Sequence, residues 1–323
     1  MAEPVKKALL ALTSLILSAA LLIGAYEAAA HWRYYDWRQG FTGKAWLGTV
    51  TGPSENPELM WEYRPNREHK RIRTNEHGFR DRRGIDLEKD EGEVRVAFIG
   101  DSVTLGYGEE EPTIFVRRFE RSIRGLQNPG VVALNFGIDG YSTPQIAELL
   151  RARVLDFSPD FVVYTLCLND FDFTSSAGEK VLYFRKPRSF FLVKLEHLVR
   201  RLRGVDFHTH SFRKNRQRVF DEIAEMQRLS DGADANFLLV VLPIFPVDVN
   251  SFAAYSHLEI HDALRDFAGR AGLETLDALT TFRNAGGPPR AYANDIWHPN
   301  PEGHRVIGEA LAQRLAPALS AER

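Results

Sequence analysis

Val94-Arg95-Val96-Ala97-Phe98-Ile99-Gly100-Asp101-Ser102-Val103-Thr104-Leu105-Gly106 is the stretch on which the fold turns. The run is short, β-branched and flanked by charge, which favours a buried strand over a helix. It breaks at Gly100 and delivers Asp-Ser into a turn of small residues. In open α/β sheets ligands bind beyond the carboxyl ends of strands, and Ser102 occupies such an end. A serine hydroxyl is a weak nucleophile until a base takes its proton and something fixes that base. By itself Gly-Asp-Ser is an ordinary turn.

The far end of the chain supplies the missing parts in Asn294-Asp295-Ile296-Trp297-His298-Pro299-Asn300-Pro301-Glu302-Gly303-His304. An aspartate three residues before a histidine, held in a turn, lets Asp295 accept from one imidazole nitrogen of His298 while the other faces a serine. Two further blocks directly follow apolar runs, Asn135-Phe136-Gly137-Ile138-Asp139-Gly140-Tyr141-Ser142-Thr143 and Leu166-Cys167-Leu168-Asn169-Asp170. Both are candidate sources of oxyanion donors. Glycines 137 and 140 let the backbone come close, and an asparagine amide is a neutral donor that needs no protonation. Two or three preorganised donors at a tetrahedral oxyanion are worth several kcal/mol. The rival signature Gly-x-Ser-x-Gly does not occur, which argues against an α/β-hydrolase elbow.

With these four blocks in this order, the sequence resembles the SGNH (GDSL-type) esterase and acyltransferase superfamily over roughly residues 94 to 318. The resemblance implies Ser102 as nucleophile, His298 as base and Asp295 as its orienter. It implies an oxyanion hole from the amides of Ser102 and Gly137 and the side chain of Asn169. In one respect the chain departs from the pattern: Cys167 stands where the third block usually has glycine.

Around this frame the elements alternate. Thr113 to Leu126 has helical spacing, Val131 to Phe136 reads as a strand, and Thr143 to Phe157 as a helix opened by Pro144. Phe161 to Leu168, Asn236 to Leu242 and Glu274 to Leu276 supply later strands, with a helix near Ser256 to Ala271. Such alternation implies a parallel sheet covered on both faces, a three-layer α/β/α domain of flavodoxin-like type. The last helix begins at Asn300, a capping residue, with Pro301 in its first turn.

At 323 residues, 44% apolar and 26% charged, the chain is long enough for a full core. A formal net charge of −2 gives no global attraction for nucleic acid, and no nucleic-acid partner is expected. The single cysteine, Cys167, excludes an intramolecular disulfide framework and reads as a small buried hydrophobe. His257 and His261 lie one helical turn apart, and His208 and His210 alternate, but neither pair fits a zinc-protease pattern. We expect solvated histidines there, no metal and no cofactor. His304, inside the last helix, reads as a surface or supporting position and not as the base.

From Ala8 to Tyr26 there is no charged residue, and Lys6 and Lys7 precede the run. That length suits a membrane-crossing helix, and Trp32, Tyr34, Tyr35 and Trp37 suit its interface. Residues 1–38 therefore read as a cytoplasmic tip, a single-pass anchor and an aromatic collar, with the catalytic part outside the cytoplasm. The competing reading is a cleavable signal peptide, for which Ala28-Ala29-Ala30 offers small residues. Residues 39–93, rich in Gly, Pro and charge with Trp46, Trp61, Tyr63 and Phe79 scattered through them, read as an extended linker lying partly on the catalytic domain and leading into its first strand, and 94–318 as the catalytic domain, interrupted by an insertion at about 171–218. Within that insertion, residues 185 to 218 hold eleven Lys or Arg against Glu196 and Asp206, an excess of nine. Its interleaved apolar residues give a basic amphipathic helix, either a lid on the domain or a surface for anionic lipid or glycan.

These features point to a membrane-tethered, extracytoplasmic serine esterase forming an acyl-enzyme on Ser102, with an ester of a carbohydrate or lipid as substrate. An O-acyltransferase that modifies an envelope polysaccharide shares the first half-reaction, and would work beside a multi-spanning acyltransferase partner. The reading from another class is a non-catalytic envelope protein that binds glycan or a partner through the same domain.

Overall fold

The computed structural model describes residues 3–39, 50–126, 128–177, 180–183 and 187–319. The chain divides into two units, Met1–Ala45 with Arg185–Asp206, and Trp46–Phe184 with Phe207–Arg323.

The first unit consists of helix α1 (Glu3–Gln39) and a helix from the insertion, Phe190–Leu202. Helix α1 carries one apolar stretch of mean hydropathy 2.3, long enough to cross a membrane, with its side chains exposed. Such a helix near an N-terminus fits a single transmembrane segment, and a signal sequence shares these properties.

In the second unit two hairpins come first, β1 (Thr51–Pro53) with β2 (Trp61–Tyr63) and β3 (Glu68–His69) with β4 (Ile72–Arg73). Then follow β5 (Val94–Gly100), the short α2 (Ser102–Leu105), α3 (Phe115–Gly125), β6 (Val131–Gly137), α4 (Thr143–Leu149) and β7 (Phe161–Leu166). A hairpin of β8 (Thr174–Ala177) and β9 (Lys180–Tyr183) closes this half. After α5, the Phe190–Leu202 helix of the first unit, the chain continues through α6 (Phe207–Asp231), β10 (Asn236–Val241), α7 (Leu258–Ala271), β11 (Glu274–Asp277), α8 (Ala278–Ala285) and α9 (Pro301–Leu319).

Five strands make a parallel sheet in the order β11-β10-β7-β5-β6. Helices flank it, α3 packing with α9 and α4 with α6. Strand β7 is buried along its whole length and β5 along all but its first residue, as expected of parallel strands covered on both sides. The order reverses between β5 and β7, because β6 lies on one side of β5 and every later strand on the other. That reversal opens a crevice at the strands' carboxyl ends, where Ser102 follows β5 and Asn169 follows β7.

Local outcomes differ from the sequence expectations in three places. The helix expected from Thr143 to Phe157 is α-helical only to Leu149; a π turn (Leu150–Val154) and a 3-10 turn (Leu155–Phe157) finish it, with Ser158 at φ 46° as the stop. The basic insertion does not act as one piece. Only Arg185–Asp206 separates from the second unit, whereas α6 runs through the expected boundary at 218 and buries Phe212, Val219, Ile223 and Met226. The described part of the expected lead-in, from Val50 onward, belongs to the second unit, with Leu59, Trp61, Tyr63, Phe79 and Arg80 buried. Residues 40–49 lie outside the described residues. Finally, His208, His257 and His261 are buried and not solvated. His261 sits between Asp277 Oδ1 at 2.9 Å and the Tyr255 hydroxyl at 3.2 Å, which ties α7 to the end of β11.

Candidate active site

Strand β5 ends at Gly100 and the chain turns at once into α2, whose first residue is Ser102. Asp101 makes that turn: its Oδ1 accepts from the Val103 amide at 2.8 Å, which caps the short helix. Its Oδ2 accepts from Asn169 Nδ2 at 2.9 Å, so one buried carboxylate aligns the turns after β5 and β7. Burial pushes the Asp101 carboxyl up, and the hydrogen bonds from Asn169 and the Val103 amide oppose the shift.

His298 arrives from a loop 196 residues away in sequence and places Nε2 3.0 Å from Ser102 Oγ. Its Nδ1 lies 2.7 Å from Asp295 Oδ2, which assigns the proton on that nitrogen to the bond with the carboxylate and leaves Nε2 as the acceptor. Asp295 Oδ1 takes the amides of Trp297 and His298, each at 2.8 Å, so the three-residue spacing closes a turn with the imidazole aimed outward. Burial acts to raise the Asp295 carboxyl, but these hydrogen bonds outweigh it and hold the group below the usual carboxylate range. The turn is completed by Asn300, whose Oδ1 accepts from the amides of Glu302 and Gly303 at 3.0 Å and starts α9. Tyr107 lays its ring 5.1 Å from the imidazole of His298.

The amides around Ser102 divide into free and engaged. Gly137 is engaged: its N–H donates to Asn135 Oδ1 at 2.9 Å, and a Cβ there would stand 2.1 Å from the Leu105 amide nitrogen. Its expected donation to an oxyanion is therefore corrected, because this glycine serves the close approach of β6 to α2. Gly140, three residues on, has φ 78° and donates its amide to nothing among the described residues. The Ser102 amide is likewise without an acceptor among the described residues. On the Asn169 side chain Nδ2 has one hydrogen on Asp101 and a second to give, while Oδ1 is buried without a hydrogen bond among the described residues. Cys167 adopts φ −98° and ψ 151°, ordinary extended backbone, so the turn after β7 does not require the glycine usual there. Burial pushes its thiol well up, in keeping with a small hydrophobe.

Residues outside the four blocks support this arrangement. Trp61 Nε1 donates to the Asp139 carbonyl at 3.3 Å, Tyr63 OH accepts from the Asp139 amide at 3.2 Å, and Tyr141 OH donates to the Trp61 carbonyl. The hairpin β1–β2 thus braces the loop that carries Gly140. Burial pushes the Asp139 carboxyl up to about 6, with the charge of Asp101 adding and His298 opposing. Arg80, fully buried, donates to the carbonyls of Leu105 (2.7 Å), Gly106 (2.6 Å), Glu109 (2.5 Å) and Arg71 (3.0 Å), clamping the turn after the serine. In the sequence only scattered aromatics in a Gly- and Pro-rich segment hinted at this role. His304, expected at the surface or in support, is buried in α9, where its Nδ1 accepts from the Phe115 amide at 3.1 Å.

The model of the GDSL-like lipase/acylhydrolase family matches residues 98–306, more than half of the chain. The chain belongs to that family. Solved structures with a similar fold include a GDSL-like lipase from Bacteroides thetaiotaomicron (17% identity, 74% of this chain and 93% of that one, TM-score 0.43). Another is a catalytic mutant of Axe2, an acetylxylan esterase from Geobacillus stearothermophilus (15%, 68% and 93%, 0.48). A third is LAE5, an alpha/beta hydrolase enzyme from the metagenome of Lake Arreo (17%, 72% and 98%, 0.47). No curated protein matches the sequence. As a member of the GDSL-like family the chain has a central parallel sheet, and Ser102, Asn169, Asp295 and His298 all lie within the matched residues.

Proposed function

We propose that the protein is a serine-dependent ester hydrolase that works through an acyl-enzyme on Ser102. The observation that carries this reading is the continuous chain Asp295 Oδ2, His298 Nδ1, His298 Nε2, Ser102 Oγ, with links of 2.7 and 3.0 Å. Ser102 Oγ attacks the ester carbonyl carbon as its proton passes to His298 Nε2. The carbonyl oxygen becomes an oxyanion, to which the Ser102 and Gly140 amides and Asn169 Nδ2 offer hydrogens. Collapse breaks the bond to the alcohol, which leaves with the proton from His298. Water, deprotonated by His298, then attacks the acyl-serine and restores Ser102. Asp295 fixes the imidazole and balances its transient positive charge. An acyl ester of a carbohydrate or lipid is the substrate class we assign.

Helix α1 is, in this reading, a retained membrane anchor with the catalytic unit outside the cytoplasm. The uncharged run from Ala8 to Tyr26 supports the anchor, and since Lys6 and Lys7 before it are nearly balanced by Arg33, Arg38 and Lys44 after it, the orientation follows the usual inside placement of an amino terminus. Protease accessibility in intact and opened cells tests the orientation.

The chemistry is tested by intact-mass spectrometry after incubation with an aryl acetate and with a serine-directed phosphonate, with Ser102→Ala as control. An adduct on the parent and none on the variant is the expected result. Its absence from a folded parent would favour the glycan-binding reading instead.

A further inference from the structure

The helix of the basic insertion is attached to α1, and the attachment point sits where the apolar run of α1 ends. Glu27 directly follows Tyr26, the last residue of that run. Its carboxylate accepts from the amides of Phe190 (3.1 Å) and Phe191 (2.8 Å) and from the Ser189 hydroxyl. These are first-turn groups of α5, which an isolated helix leaves unpaired, and negative charge there is favourable. One turn further along α1, His31 packs edge-on against Phe190, ring centroids 5.0 Å apart. Phe190 is the residue of α5 that becomes buried.

From that fixed end α5 presents leucines to the medium. Leu192, Leu195, Leu198 and Leu202 are 61%, 41%, 52% and 77% exposed, at spacings that keep them on one side of the helix. Lys194, Arg201 and Arg203 border or follow the stripe, with Arg188 before it. A run of uncovered leucine flanked by cations is costly in water and fits a bilayer boundary, where the apolar face enters the acyl region and the cations meet anionic headgroups.

We infer that α5 lies in the headgroup layer of the membrane that α1 enters, its leucines in the acyl boundary and its arginines and lysine on anionic lipid. This rests on α1 being a retained membrane helix, and the two claims are separable by experiment. Because the Cys167 thiol is buried, single cysteines can be introduced without replacing it. The full chain carrying Leu195→Cys, Leu198→Cys or, on another side, His197→Cys is labelled with a nitrobenzoxadiazole dye. It is then reconstituted in phosphatidylcholine vesicles with or without phosphatidylglycerol.

The expected result is quenching of the Leu195 and Leu198 labels by shallow nitroxide lipids, and of the His197 label by an aqueous quencher. Adding phosphatidylglycerol should strengthen the lipid quenching, and Glu27→Ala should weaken it by releasing the capped end. Stripe labels quenched only from water, in a chain that resists carbonate extraction, would overturn the interfacial helix and leave the anchor standing. Extraction of the chain by carbonate would overturn the anchor and the inference with it. Quenching indifferent to phosphatidylglycerol would overturn the assignment of anionic lipid.

Discussion

Asn294 Nδ2 donates to Glu109 Oε1 at 2.7 Å. This bond fastens the loop that carries Asp295 and His298 to the segment just after the Ser102 turn, whose Glu109 carbonyl is also held by Arg80. The 3.0 Å separation of Ser102 and His298 therefore depends on a contact that neither residue makes. Asn294→Ala should lower kcat about tenfold with little change in KM, since misplacement of a base by a fraction of an ångström is expensive in rate. Steady-state kinetics on an aryl acetate would check this; an unchanged kcat would mean the loop holds its place alone.

Asp295→Asn should cost more. An amide in place of the carboxylate no longer demands the proton on His298 Nδ1 and no longer balances an imidazolium. A loss of about 10²- to 10³-fold in kcat is expected, below the roughly 10⁴-fold seen where the aspartate is fully buried, because Asp295 is half exposed. Ser102→Ala should abolish covalent labelling outright.

Two substitutions separate the oxyanion donors from their scaffolding. Asn169→Ala removes a donor and should lower kcat by about 10² to 10³, or about 2.7–4 kcal/mol, with some further loss from the freed Asp101. Gly137→Ala should act on stability, since its Cβ meets the Leu105 backbone at 2.1 Å. A clear fall in Tm, with activity per folded molecule retained, is the expected pair of results. A catalytic defect at full stability would return Gly137 to the reacting centre.

His304 makes stability depend on pH. Burial lowers it to about 3 in the folded chain, against about 6.5 when unfolded, so the unfolded chain binds the proton more readily. Its contribution is complete above about pH 6.5 and is lost as pH falls toward 3. Between pH 8 and pH 5 the loss is about 2 kcal/mol. Urea unfolding of the full chain in detergent should show a smaller pH 8 to pH 5 difference for His304→Asn, which keeps an acceptor for the Phe115 amide. Equal differences in the two proteins would place the pH dependence elsewhere.

What the sequence disclosed follows the range of the interactions. The parallel strands show as apolar runs with buried ends, and the positions of Ser102 and of Asp295 with His298 follow from turns closed within three residues. The capping by Asn300 is equally local. By contrast, the choice between Gly137 and Gly140 depends on how the chain leaves β6, since both glycines follow the same strand and Asn135 claims only one amide. The burial of His261 and His304 turns on which face of a helix meets the sheet or α3. Trp61, Tyr63 and Arg80 gain their places through partners far along the chain, such as Asp139 and Leu105. No spacing rule joins such residues.

The clasp of Glu27 on α5 bears on how the chain matures. A peptidase cutting within Ala28-Ala29-Ala30 would carry Glu27 away on the discarded leader and leave His31 behind. Ser189, Phe190 and Phe191 would then lose their common acceptor, and the processed polypeptide would carry a frayed, leucine-studded segment. Removal of the leader and integrity of the α1–α5 pair are thus mutually exclusive, and the mass of the mature chain reports which of the two the cell has kept.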